Sequence, residues 1–252
     1  MLRKLLFGGA SWLILFALVP YQSVAQKITN SDSVAVASAV ATATQQYVQQ
    51  VQPESVLFNG PEYVNRNLPS TIGHPFFGSA DPQPGTITYR SAQFQGIPLS
   101  YDLALDQVVL TYPSQAVAVM LVPEKIGAFS LGSHQFVRLL AADSSAKSPA
   151  PTGFYEVLLS GPVSLLARHT KRVERTTVQQ NLRLEFRQTD QLFVRTASTV
   201  APVNNLKDVL NLLPAHKAEV QRYARQQQLR FSAAQREASF LSALRYYASL
   251  PQ

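Results

Sequence analysis

Between residues 85 and 197 the sequence breaks into short alternating or apolar segments separated by tight-turn signals, which excludes most architectures. Thr86-Ile87-Thr88-Tyr89 alternates and is β-branched, and Gln93-Phe94 follows after a turn. Ile97 to Leu105 and Gln107 to Tyr112 read as two strands with Asp106 at the bend between them. Val117 to Val122, Ile126 to Leu131 and Gln135 to Leu140 continue at the same spacing, and Ala142 to Pro151 reads as an exposed loop. Phe154 to Leu159 and Val163 to Arg168 flank Ser160-Gly161, a hairpin signal. Leu182 to Arg187 and Gln191 to Thr196 flank Thr189-Asp190, which reads as a second hairpin. About ten short strands joined by tight turns imply a mainly β (α+β) chain. The expected form is an antiparallel β-meander making a curved sheet, a barrel or a sandwich.

From residue 203 the period changes. Leu206, Val209, Leu210 and Leu213 share one face of a short helix. Pro214 is placed to start a second helix, where its missing donor costs nothing, running to about Gln227. Ser232 and Gln235 form the pattern of a capping box ahead of a third helix, Ala233 to about Ala248. Three amphipathic helices cannot stand alone, so a C-terminal three-helix appendage over 201–252 is expected to pack on a β domain spanning 54–200.

The N-terminal region is read as a signal peptide over 1–25. Arg3 and Lys4 precede an uncharged, mostly apolar run from Leu5 to Val19. Pro20 breaks that run, and Ser23-Val24-Ala25 offers small residues for cleavage near Ala25. The run is shorter than the ~20 residues a spanning helix needs, so no transmembrane helix is expected in the mature chain. Residues 26–53 are rich in Ala, Val, Ser, Thr and Gln. Such small side chains bury too little area to offset ~1–2 kcal/mol of backbone entropy per residue. A flexible leader is expected there, with a frayed helix near Ala39–Val51. Export to the periplasm, the outer envelope or the medium follows.

The chain has no cysteine. Disulfides, thiolate metal sites and cysteine nucleophiles are therefore excluded, and stability must come from the core. The net charge of +7 falls to +5 once Arg3 and Lys4 are removed. That favours acidic partners such as lipid head groups or anionic polysaccharide, and is too modest to argue nucleic-acid binding.

His74, His134, His169 and His216 stand at no metal-ligand spacing from one another. Polar surface positions are expected for them, and neither a cofactor nor a metal is implied. His74 stands out because Tyr63, Phe76 and Phe77 share its Pro-rich stretch, which could wall a binding site. Tyr101 and Asp102 lie within the Ile97 to Leu105 strand. Asp102 and Asp106 lie four apart around a bend, where Asp more often bonds to turn backbone than does catalysis. Arg168, His169, Lys171, Arg172, Arg175, Arg183, Arg187 and Arg195 make the strongest charge feature. The two-residue period puts Arg183 and Arg187 on one strand face, either a solvated edge or an anion-binding patch.

The motifs Asn59-Gly60-x-Glu62-Tyr63-Val64, Gly73-His74-Pro75-Phe76-Phe77, Gly85-x-Ile87-x-Tyr89 and Gly96-Ile97-Pro98-Leu99-x-Tyr101-Asp102 resemble those of a group of exported Bacteroidota proteins. Gly153-Phe154-Tyr155-Glu156-Val157-Leu158 and the closing helices near Arg245-Tyr246-Tyr247 are similar too, so the likeness covers about residues 54–250. The resemblance implies an envelope location and a recurring β-plus-helix unit. No activity is assigned to that group, so no site residue is carried over.

Three functions are consistent with these features. The first is a non-enzymatic envelope module binding an amphiphile, a polysaccharide or a protein partner, with Tyr63, His74, Phe76, Phe77, Tyr101, Asp102, Arg183 and Arg187 as candidate contacts. A lipid carrier would enclose an apolar cavity. The second is an envelope polysaccharide hydrolase using Asp102, His74 and Glu62, which requires those side chains to converge. The third is a structural subunit of an outer-membrane assembly.

Overall fold

A computed structural model describes residues 36–44, 56–65, 67–68, 70–112, 117–141, 150–178, 181–213 and 215–251. The signal peptide, most of the leader and most of the 142–151 loop lie outside the described residues. The chain divides into two compact units, Met1–Ala43 and Thr44–Gln252. The described part of the first is helical with every side chain exposed.

The second unit holds one open antiparallel sheet. Its strands are β1 Gln83–Tyr89, β2 Ala92–Asp102, β3 Gln107–Tyr112, β4 Val117–Met120 and β5 Ile126–Leu131, then β6 His134–Leu139, β7 Gly153–Leu159, β8 Ser164–Val178, β9 Asn181–Arg195 and β10 Val200–Pro202. The order across the sheet is β10-β9-β8-β7-β6-β5-β1-β2-β3-β4. The expected mainly β chain with C-terminal helices is therefore present, as a single unclosed sheet.

One strand boundary differs from the sequence reading. Thr189-Asp190 is not a turn: β9 runs straight through it, and β8 extends through the basic run to Val178. The two strands pair without interruption from Ser164↔Arg195 to Val178↔Asn181. Alternation of Arg, Thr and Glu with Val173, Leu184 and Phe186 continues the period on both sides, which outweighs the local turn propensity of Thr-Asp. Val56–Phe58 forms a short 3-10 helix.

Paired residues share a sheet face. Phe94, Ile87, Phe129, Phe136, Glu156, Ala167 and Leu192 consequently lie side by side across seven strands. All seven are buried, and Glu156 is the one charged member. At one end this face carries an aromatic core in which Tyr101, Phe129, Phe136 and Phe154 pack ring to ring. At the other end three helices cover it, α1 Leu206–Leu212, α2 Lys217–Gln226 and α3 Arg236–Ser249. Val209, Val220, Phe240, Leu244 and Tyr247 meet Leu165, Ala167, Leu192 and Val194 there. Burying each such side chain contributes ~1.5–3 kcal/mol, so the core is held without disulfides. Asn205 and Asp208 form the capping box of α1. The one expected at Ser232 is replaced by a 3-10 turn, Ala233–Gln235, ahead of α3. No helix among the described residues is long and apolar enough to cross a membrane.

The segment from residue 60 to 77 links the two ends of the sheet. Its start bridges β4, with Tyr63 N–H on the Ala118 carbonyl and Met120 N–H on the Pro61 carbonyl. Gly60 makes that approach possible, because a Cβ there would lie 1.7 Å from the Met120 carbonyl oxygen. Farther on, Ile72 bridges Glu185 on the outer edge of β9. The chain then returns as a strap, with Leu103 N–H on the Pro75 carbonyl and Phe77 N–H on the Tyr101 carbonyl.

Candidate functional site

Under this strap four titratable side chains from four adjacent strands form one chain of hydrogen bonds. His134 Nδ1 lies 2.5 Å from Glu156 Oε1, His169 Nε2 lies 2.7 Å from Glu156 Oε2, and His169 Nδ1 lies 2.7 Å from Asp190 Oδ1. The local pattern explains the placement. His169 continues the inward series Leu165, Ala167, and Glu156 follows Phe154 on the same face. The inner pair is buried, at 8% and 9% side-chain exposure, while His134 and Asp190 reach solvent at 47% and 49%.

Both ring nitrogens of His169 face carboxylates, which only accept, so both must donate and the ring is an imidazolium. Burial alone would lower the His169 pKa. Hydrogen bonds to Asp190 and Glu156 outweigh it and raise the group to about 9. Burial likewise pushes Glu156 up, but the His169 and His134 hydrogen bonds hold it below the usual carboxylate range. Asp190 is held low chiefly by the bond from His169, against burial, with help from Gln188. Phe77 of the strap packs on this chain, its ring centroid 4.9 Å from His134, 5.1 Å from Phe136 and 5.2 Å from His169. Arg236 at the start of α3 donates to the Asp190 carbonyl at 2.7 Å.

Six of the residues singled out in the sequence gather at the strap. Tyr63 donates to Asp102 Oδ2 at 2.8 Å, and its ring meets Phe76 at 5.8 Å. Phe76 bridges Asp102, and His74 stacks on Phe76 at 6.3 Å. Phe77 is joined to Tyr101 through its backbone. Asp102 is almost fully buried, and its other oxygen accepts the Ala104 and Leu105 amides at 2.8 and 3.0 Å. Its carboxylate thus caps the turn that ends β2 and anchors Tyr63. Burial, followed by the Asp102 hydrogen bond, raises the Tyr63 pKa.

Tyr101 donates to Asp106 Oδ1 at 2.6 Å, and Arg168 stands 3.5 Å from Asp106 Oδ2. Asp106 sits at φ +54°, a left-handed turn position that Asp tolerates. Lys171 reaches under the strap to the His74 and Phe76 carbonyls at 3.1 and 2.6 Å. Burial lowers the pKa of Lys171. Burial and the nearby Lys171 lower that of His74, whose Nδ1 is enclosed without a partner. Glu62 stands at the β4 edge and is exposed.

Arg183 and Arg187 lie elsewhere, on the hairpin face opposite the strap, since Lys171 and Arg172 are adjacent and point to opposite sides. Arg187 meets Glu174 at 3.5 Å and Glu185 at 3.4 Å, and Arg183 meets Glu185 at 3.6 Å. Sequence reasoning missed Glu156, His169, Asp190, His134 and Lys171 as a constellation. The basic run around His169 suggested a surface, whereas its alternation with Leu165 and Ala167 was the signal for burial. Among the described residues no group of three or more His, Cys, Asp or Glu is arranged to hold a metal ion.

No family model matches the chain, and neither does any curated protein or solved structure.

Proposed function

We propose that this protein is an exported, non-catalytic binding module that meets an anionic component of the bacterial envelope through the β8–β9 hairpin. The observation that carries this reading is the length of that hairpin. Each strand has fifteen residues, but β7 pairs with β8 only as far as Ala167. The eleven residues of β8 beyond Ala167 have no pairing with β7 and span about 35 Å at ~3.3 Å per residue. Between Arg168 and Arg187 the hairpin carries six Lys and Arg against two Glu. Most of its distal side chains are exposed.

Two further features support binding at the surface over chemistry or carriage. Asp102 spends its carboxylate on two turn amides and Tyr63, and His169 and Glu156 satisfy each other. The sheet face between strap and helices is filled with packed side chains. Export rests on the Arg3-Lys4 start, the apolar run and the Ser23-Val24-Ala25 site.

The test is binding of the chain from Gln26 onward to an anionic polysaccharide and to anionic vesicles, at low and high salt. Binding that weakens steeply with salt, as ion pairing with a polyanion requires, is expected for at least one of them. Absence of binding to both at low salt overturns the proposal.

A further inference from the structure

Across the outward face of the hairpin, Arg172 stands directly opposite Arg187 and Glu174 directly opposite Glu185. Like charges in opposed positions destabilise a strand pair, so each rung needs compensation. The glutamate rung has it, because Arg187 reaches both carboxylates and Arg183 reaches Glu185. The arginine rung has only half of it. Among the described residues Arg172 has no carboxylate within 4 Å, and its side chain is exposed. The next rung toward the base is Thr170 opposite Thr189, and the one beyond it holds Arg168 opposite Gln191. These side chains all project from one face of a two-stranded ladder.

We infer that the Arg172–Arg187 rung, with the hydroxyl of Thr189, is a binding site for a phosphate group, carried by a lipid head group or by a free phosphate ester. This rests on the reading of the hairpin as the binding arm and names the chemistry it takes. The physical case has three parts. A tetrahedral dianion between two guanidinium groups removes the like-charge cost of the opposed arginines. Arg presents planar, forked donors that match phosphate oxygens in pairs. One rung away the Thr189 hydroxyl supplies a neutral donor at the rim, while that of Thr170 donates to the Thr189 carbonyl at 3.3 Å. Glu174 and Glu185 border the site on its tip side, where Arg187 and Arg183 hold them. They favour a compact anion at the Arg172 side over one spread along the whole face.

The experiment titrates the chain from Gln26 onward with inorganic phosphate and with glycerol phosphate, following the amide resonances of Thr170, Arg172, Arg187 and Thr189. A parallel arm measures sedimentation with phosphatidylglycerol vesicles. The expected result is saturable shifts centred on those four residues in the millimolar range or tighter. Arg172→Gln should weaken binding about fivefold, the usual effect of one cation at an anionic surface. Arg245→Gln, which removes an equal charge from α3, should leave it unchanged. Glu174→Gln should strengthen it. Vesicle binding that Arg172→Gln reduces assigns the phosphate to a lipid head group, and shifts with soluble phosphates alone assign it to a free ester. Absence of saturation, or equal effects of Arg172→Gln and Arg245→Gln, overturns the site. If the chain still binds a carboxylate polysaccharide in that case, the binding-module reading stands and the phosphate site alone falls.

Discussion

His169 Nε2 and Glu156 Oε2 lie 2.7 Å apart on adjacent strands, both side chains less than a tenth exposed, Glu156 in a row of otherwise apolar residues. Each charge is balanced by the other and by one half-exposed partner beyond it, Asp190 for His169 and His134 for Glu156. Breaking a buried pair costs about 3–5 kcal/mol, whereas replacing both partners with apolar side chains is often near neutral. Because Asp190 still faces His169 when Glu156 is gone, Glu156→Leu should destabilise the fold by about 3 kcal/mol, the low end of that range, and Glu156→Leu combined with His169→Leu by clearly less. Urea unfolding of these two variants and of His169→Leu alone measures the coupling. A double variant as unstable as the sum of the single ones would show that the pair is not coupled.

The same pair sets the dependence of stability on pH. His169 is raised from 6.5 to about 9 on folding, so the folded state holds its proton more tightly. Its contribution is complete below pH 6.5 and is lost as pH rises toward and through 9. Glu156 and Asp190 are lowered from 4.5 and 3.8, so theirs is present above those values and is lost as pH falls below them. The urea midpoint should peak between about pH 5 and 6.5 on account of this cluster. His169→Gln should flatten the alkaline limb, and a limb of unchanged slope would place its origin elsewhere.

Two buried tyrosines should respond oppositely to loss of the hydroxyl. Tyr101 donates to Asp106 at 2.6 Å, while the Tyr89 hydroxyl is enclosed without a hydrogen-bond partner. A hydrogen bond to a charged group contributes about 1.5–3 kcal/mol, and an unsatisfied buried group costs about 1–3 kcal/mol. Tyr101→Phe should lower stability, and Tyr89→Phe should leave it unchanged or raise it. Thermal denaturation of both variants checks the sign.

The strap depends on Lys171, whose ammonium takes the His74 and Phe76 carbonyls. Lys171→Met keeps the aliphatic stem and removes the donors, and should cost roughly 2 kcal/mol. The loss should be local: amide exchange should accelerate at Phe77 and Leu103, which hold the strap to β2, more than at Ile87 in the centre of the sheet. Uniform acceleration would mean that the strap and sheet unfold together.

The strands and helices were largely legible because their side chains repeat with the period of the element. Ile87 and Tyr89 alternate inward, and Val209 and Leu213 share the helical face that the structure buries. The boundary at Thr189-Asp190 was not legible. A local turn preference competes there with a ladder whose partner, His169 to Thr170, lies twenty residues earlier. The gathering of Tyr63, His74, Phe76 and Phe77 was visible as a cluster of rings in the sequence. What they gather around was not, because Asp102 and Lys171 arrive from β2 and β8.

By itself the sequence determined an antiparallel β chain with terminal helices, no disulfides and a basic run near residue 170, since these follow from residue type and short-range period. The tertiary structure alone decided that the sheet stays open, that β8 and β9 form one long arm, and that His134, Glu156, His169 and Asp190 make a single chain. Those depend on register across four strands. A hydrogen bond between side chains thirteen or twenty-one residues apart leaves no periodic trace in either segment, so only the assembled sheet reveals it.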